Sequence, residues 1–383
     1  MKPYIAIPAT LALIYRAWSH KSLTPGGILA AALTASAHAY HPWSLPFALL
    51  CIFFLAGTRA TKVKKDIKAT LTIPSKGTSG GEGPRTHVQV LANSLVASIL
   101  SILHAFQLHR RELLLTDPSK SSDGCCYPWR GDLLLVGIIA HYAAVTADTL
   151  SSELGILSKS PPRLITSFTF RQVPPGTNGG VSLTGTLAGA LGSALIALSS
   201  TLLLPTCNDS SSLGSYENGA WTLQRRFIFA AAITLWGTLG SLLDSILGGL
   251  LQRTVKDRRT GKIVEGEGGE RVLILSESTH TPLSPIESAV FSGEGEHAVE
   301  HTDATISTGY EANKDVLKNR FDAKVRHRRA SFGDELPSRV IESGFDLLDN
   351  NQVNLLMACT MTVGSMVAAG YLWDVPLNTI LPY

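Results

Sequence analysis

Charge is what this chain has least of. Only 16 % of its 383 residues are Asp, Glu, Lys or Arg, against 45 % hydrophobic, whereas soluble domains carry about a quarter charged. The charges crowd between long apolar blocks, which excludes an ordinary soluble domain and indicates a polytopic membrane protein. The net charge of +3 is too small to attract nucleic acid, and no aromatic–basic interleaving supports such a partner. No Gly-Lys-Ser/Thr follows the one glycine-rich turn, so P-loop chemistry is not implied. Metal-type Cys/His spacing and a nucleophile elbow are both missing, and the many serines have no evident His partner apart from His141. Hydrolase chemistry is therefore unsupported. Pro3–Trp18 lacks a strong basic start and a clean small-residue cleavage site, so it reads as a weak first span and not as a secretory leader.

Eight apolar stretches approach the length a bilayer requires: about 3–18, 25–41, 43–59, 88–108, 132–152, 181–204, 227–251 and 353–375. Spans two and three are joined only by His41-Pro42-Trp43, as in a tight hairpin. Trp18, Trp43, Trp221 and Trp373 stand at segment ends, where interfacial aromatics belong. The expected fold class is all-α, a polytopic integral membrane bundle of about 6–8 helices with one long disordered cytosolic loop.

Loop charge sets the expected orientation. Arg59, Lys62, Lys64, Lys65, Lys68, Lys76 and Arg85 follow span three, and Lys159, Arg163 and Arg171 follow span five. The positive-inside rule places these loops in the cytosol, with both termini outside. The sequon at Asn208 then falls in a lumenal loop, as a glycosylation site must. Cys125, Cys126 and Cys207 share that side, where a disulfide through Cys207 can form; free thiols at the adjacent pair are the alternative. An endoplasmic reticulum membrane is the expected location.

The chain divides into a bundle core over residues 1–254, which carries a cytosolic motif loop at 153–180, a disordered polar insertion at 255–338, and a closing segment at 339–383. The insertion is rich in Gly, Glu, Ser, Thr and His without an apolar period. A short strand at Arg271–Leu275 and a basic-directed phosphorylation pattern at Ser331 stand within it. Ile341, Phe345, Leu347 and Leu348 suggest an amphipathic helix over Arg339–Asn351 that leads into the last span.

The chemistry-bearing residues collect where span five ends. Asp148 and Ser152 are four apart, as are Thr149 and Glu153, so a helix gathers the four into one polar patch, with His141 on the same face one level deeper. An acid in a membrane segment is costly and points to function; the alternative is that Asp148 pairs with a neighbouring base or caps a helix. Span seven supplies Asp244 beside Ser245, on a face of small residues (Gly237, Ser241, Gly248) that lets another helix approach. Carboxylates converging there suit Mg²⁺, which takes a few carboxylates plus substrate phosphates. The turn Val173–Gly180, with Gly176, Thr177, Asn178, Gly179 and Gly180, precedes span six and can present amides to an anion beside a helix N-terminus. Gln89 and Asn93 share a face of span four, as ligand contacts or simple interhelical bonds.

The ordered series Thr61-Lys62, Gln89 to Asn93, Ala147-Asp148-Thr149 with Ser152 to Gly155, Pro162 to Thr166, Pro174 to Ser182, Leu243-Asp244-Ser245 and Leu348 to Asn354 resembles the transmembrane protein 19 family, also called the domain-of-unknown-function 92 family. Leu150 and Ser94 depart from the Trp and Gly expected there, and neither removes a charge. The family's plant chloroplast branch is a phytyl-phosphate kinase, and the layout is also similar to that of CTP-dependent polyprenol kinases. The resemblance implies a Mg²⁺-dependent kinase acting on a prenyl phosphate or related membrane lipid phosphate at the cytosolic face, with CTP or ATP as donor. Asp148, Glu153 and Asp244 would hold the metal. Lys159, Arg163 and the Gly176–Gly180 amides would bind phosphates, with Gln89, Asn93, Thr149, Ser152, Ser245 and Asn354 in support. The insertion, and an N-terminus unlike a transit peptide, point away from a plastid and from phytol. Competing expectations are an ion-coupled transporter and a non-catalytic scaffold with partners on its long loop.

Overall fold

The computed structural model describes residues 3–75, 83–114, 126–207, 220–272 and 339–381. The helices are α1 (Pro3–Ser19), α2 (Pro25–Tyr40), α3 (Leu45–Lys62), α4 (Lys65–Leu71), α5 (His87–Ala92), α6 (Leu95–Leu114), α7 (Leu133–Gly155), α8 (Leu183–Leu203), α9 (Leu223–Leu251) and α10 (Asn350–Trp373). Among the described residues five are long and apolar enough to cross a bilayer: α3, α7, α8, α9 and α10. At 17 and 16 residues, α1 and α2 are shorter, and α6 carries Arg110, Arg111 and Glu112 near its end. Leu183, Leu187, Leu191 and Leu202 on α8 are exposed along one side, as a lipid-facing surface requires.

The bundle is built around α7. Its first fifteen residues, Leu133 to Ala147, are apolar nearly all round and buried, the signature of a central helix. It packs against α3, α6, α8, α9 and α10. Small residues allow the closest approaches. A Cβ at Gly189 of α8 would stand 3.1 Å from Ala147 O, and one at Gly240 of α9 would meet Ala144 Cβ at 2.7 Å.

The fourth expected span is interrupted. Thr86 caps α5 in a reciprocal box with Gln89, Asn93 ends the helix, and α6 starts at Leu95. His141 is fully buried and holds the break: its Nε2 lies 2.9 Å from Asn93 O and its Nδ1 3.2 Å from Thr362 Oγ1 of α10. The imidazole is thus a link between three elements and not a partner for a serine.

At the end of the bundle that carries Asp148, a small four-stranded sheet covers the helices in the order β1-β5-β4-β6. Thr72–Pro74 (β1) runs parallel to Ile263–Glu265 (β5), and Thr254–Asp257 (β4) is antiparallel to β5 and to Arg339–Ser343 (β6). Two expectations are thereby corrected. Residues 254–272 form an ordered cap instead of the start of a disordered insertion; the rest of that insertion, Ser331 included, lies outside the described residues. The expected helix over Arg339–Asn351 is a strand followed by a turn at Gly344, whose φ of +80° and tight approach to Gln252 O end any helix there. The strand expected at Arg271–Leu275 is not formed at Arg271 or Val272, and its remainder lies outside the described residues.

A hairpin of Arg163–Leu164 (β2) and Gly180–Val181 (β3) closes the motif loop. The opposite end of the bundle is an aromatic cluster in which Trp221 packs against Tyr127, Trp129 and Phe229. There Cys126 and Cys207 form a disulfide, while Cys125 and Asn208 lie outside the described residues.

Candidate functional site

One helical turn beyond the contact of Gly240 with Ala144, the parallel helices α9 and α7 bring Asp244 and Asp148 together. The two carboxyl groups stand close enough across the helix pair to interact with each other. Asn354 of α10 completes the group. With its amide nitrogen facing its acceptors, it donates to Asp244 Oδ1 and to Asn350 O, both at 3.2 Å. Two carboxylates this close repel strongly in a partly dehydrated place unless a proton or a cation lies with them.

They line a cavity of about 570 Å³. Gln89, Asn93, Thr149, Ser152 and Ser245 share its wall, together with the turn from Gly176 to Gly180. Basic side chains on the same wall are Lys65, Lys68, Arg85, Arg253 and Arg271. Among the described residues no three His, Cys, Asp or Glu side chains gather closely enough to cage a metal by themselves. A pair of carboxylates opposite basic groups fits Mg²⁺ better than a metal wanting a full protein cage, because Mg²⁺ completes its shell with phosphates and water.

Glu153 lines the same cavity, but its carboxylate already has basic partners. Its Oε2 accepts from Lys68 Nζ at 2.5 Å, and its Oε1 from Thr61 Oγ1 at 2.8 Å, with Arg85 Nη2 3.8 Å away. Thr61 Oγ1 in turn accepts from Arg85 Nη2 at 3.1 Å. The carboxylate fastens α4 and Arg85 to α7 from the cavity wall, whereas Asp148 and Asp244 have no ion pair among the described residues.

The glycine turn is likewise more occupied than its sequence suggests. Thr177 N donates to Pro174 O, Gly180 N to Thr177 O, and Asn178 N to Thr254 Oγ1 at 3.1 Å. These three amides are spent on the turn and on β4. Gly179, at φ +78°, lets the turn lie on α9; a Cβ there would meet Gly249 Cα at 2.7 Å and Ser245 O at 2.9 Å. The glycines thus serve close packing, and the expected cradle of consecutive amides is reduced.

Lys159 and Arg163, expected to bind phosphate, do not line the cavity. Both are exposed, and Arg163 Nη1 donates to Phe170 O within its own loop. The basic residues that do line it, Lys65, Lys68, Arg85, Arg253 and Arg271, are ones that sequence reasoning did not single out as ligands. A signal existed for Arg85, which stands four residues before Gln89 at the mouth of a helix. Lys65 and Lys68 come from α4, Arg253 follows the end of α9, and Arg271 follows the paired strands β4 and β5. Arg253 Nη2 lies 3.2 Å from Asp346 Oδ2, and Arg271 Nε 3.8 Å from Asp346 Oδ1.

The sequence profile of the integral membrane protein DUF92 family matches residues 8–362 of this chain. Protein PGR of Arabidopsis thaliana is 35 % identical over 241 residues, 63 % of this chain and 75 % of that protein. An uncharacterized membrane protein of Methanocaldococcus jannaschii is 33 % identical over 205 residues, 54 % of this chain and 64 % of its own length. The chloroplastic protein VTE6 of Arabidopsis thaliana is 33 % identical over 177 residues, 46 % of each chain. No solved structure matches.

Proposed function

The chain belongs to the integral membrane DUF92 family, and from that footing we propose that it is a Mg²⁺-dependent kinase that phosphorylates a prenyl phosphate or related lipid phosphate. The observation that carries the proposal is that Asp148 and Asp244 line one cavity together with Arg85, Arg253 and Arg271. Asp148 and Asp244 would hold the cation, with Asn354 fixing Asp244. A bound Mg²⁺ would screen the phosphate oxygens of CTP or ATP. The three arginines would orient donor and acceptor phosphates and stabilise charge that spreads as the phosphoryl group moves, where such enzymes gain most of their rate. A monophosphate acceptor is already ionised, so the site needs no strong general base.

Lys62 at the end of α3, Lys64, and Lys65 and Lys68 of α4 gather at this end of the bundle, which supports a cytosolic orientation for the cavity. An endomembrane location belongs to the same proposal. A second reading, ion-coupled transport, draws on the helix broken at Asn93 beside two membrane acids. The two are separated by purified protein in lipid given labelled CTP or ATP and a panel of prenyl monophosphates. The kinase reading expects label on the lipid in the presence of Mg²⁺ and none with Asp148→Asn. Label on no lipid of the panel, with folded protein and an uptake signal in sealed vesicles, would replace it with transport.

A further inference from the structure

Beside the polar cavity lies a second, smaller space of about 80 Å³ between α1, α2, α3 and α5. Its walls are nearly all apolar, with Leu13, Ile28, Ala31, Leu50 and Phe53 among them. Arg85, Gln89 and Asn93 line this slot and the polar cavity alike, so the two spaces meet at these three residues. The joint is rigidly set. Arg85 is pinned by its backbone, whose N donates to Ser22 O and whose O accepts from Thr24 N, both at 3.0 Å. The guanidinium lies beside Gly57 on α3, where a Cβ would be in van der Waals contact with Arg85 Nη1 at 3.4 Å.

An apolar slot that opens onto a guanidinium and two amides matches an amphiphile with an anionic head and a hydrocarbon tail. Arg85 would meet the head, since its planar fork suits a phosphate. We propose that the slot between α1, α2, α3 and α5 holds the proximal isoprenoid chain of the membrane-borne lipid monophosphate, with its phosphate at Arg85. This rests on the kinase reading for the identity of the head group. It adds an entry route from lipid beside α1, which makes its main packing contact with α2 alone. It also makes slot volume the determinant of which chain is accepted. Ala31 is the position where volume is cheapest to change, and Leu13 on α1 is its counterpart for enlargement.

The test measures binding without nucleotide, to full-length protein in nanodiscs, of geranylgeranyl monophosphate and of methyl phosphate. Ala31→Phe is expected to weaken the long-chain ligand about tenfold, the loss of roughly two buried methylene groups, and to leave the short one within about twofold. Leu13→Ala is expected to spare or improve the long-chain ligand, which a merely damaged fold would not do. Arg85→Gln should weaken both ligands equally. Ala31→Phe acting on both chain lengths alike, or on neither, overturns the slot. Because no transfer is involved, the two readings fail separately. Chain-selective loss without phosphate transfer in the wild type overturns the kinase and keeps the slot. Transfer with no chain-selective loss does the reverse.

Discussion

Lys68 on α4 donates to Glu153 on α7 at 2.5 Å, with both side chains nearly enclosed, at 13 % and 11 % exposure. That contact decides what Glu153 does. A carboxylate already shared between an ammonium and the Thr61 hydroxyl is a fastener, and the metal reading passes to Asp148 and Asp244 alone.

Glu153→Gln should therefore cost stability without touching cation affinity. Removing the charge from a nearly enclosed, charge-assisted bond costs about 2 kcal/mol. The melting temperature in detergent should fall, while the apparent Mg²⁺ requirement for nucleotide binding stays within about twofold of the wild type. A Mg²⁺ requirement that rises in parallel with the loss of stability would return Glu153 to the metal site.

Gly179→Ala should be among the most damaging single changes in the chain. The added Cβ would press on Gly249 Cα in a backbone region that L residues rarely adopt. Strain of this kind costs about 1–3 kcal/mol, before the displacement of α9 is counted. Since Asp244 sits on the same helix as Gly249, nucleotide binding should weaken too. Circular dichroism melts beside a nucleotide titration would show both effects, whereas Gly261→Ala, strained at φ +71° but with open space around its Cβ position, should lower the melt and spare nucleotide binding.

The capping sheet should loosen in acid. Burial pushes the Glu342 carboxyl up, but the bonds from Arg171 and Lys256 outweigh it and hold the group below its ordinary range. A depressed folded-state value stabilises the fold above the unfolded pKa and is lost as pH falls through the folded one. Hydrogen exchange in β4 and β6 should thus accelerate below about pH 4. Glu342→Gln should exchange faster at neutral pH and show a flatter acid limb. An unchanged limb in that variant would assign the acid response to other groups.

The disulfide lies at the other end of the molecule from the acids. Cys207→Ser should lower stability by about 2–4 kcal/mol, because Cys126 and Cys207 join segments 81 residues apart. Nucleotide binding, measured well below the melting temperature, should be unaltered. A tenfold loss of binding would mean that the far end and the cavity are coupled.

The sequence made the bundle legible because membrane helices announce themselves by length and apolarity, as Leu133–Ala147 does without a single charge. It also exposed the Asp148–Asp244 pair, since an acid on a helix face with Gly237, Ser241 and Gly248 has to look toward another helix. What stayed hidden was non-local. Arg271 follows a sheet in which β1 pairs in parallel with β5 from almost two hundred residues further along, and no periodicity records such a pairing. Lys159 and Arg163 misled for the opposite reason. Charge beside a motif suggests a ligand, yet the loop folds on its own carbonyls, with Arg163 on Phe170 O. The apolar residues Ile341, Phe345 and Leu347 imitate a helical stripe, while Gly344 and the pairing with β4 impose a strand.

The measurement nearest to the central claim is the binding of Mn²⁺, as a paramagnetic stand-in for Mg²⁺, to nucleotide-bound protein, followed by its electron paramagnetic resonance signal. Wild type should immobilise the ion, and Asp148→Asn and Asp244→Asn should each weaken that binding by about tenfold or more, with Glu153→Gln near wild type. Equal Mn²⁺ binding in the wild type and both aspartate variants would contradict the account.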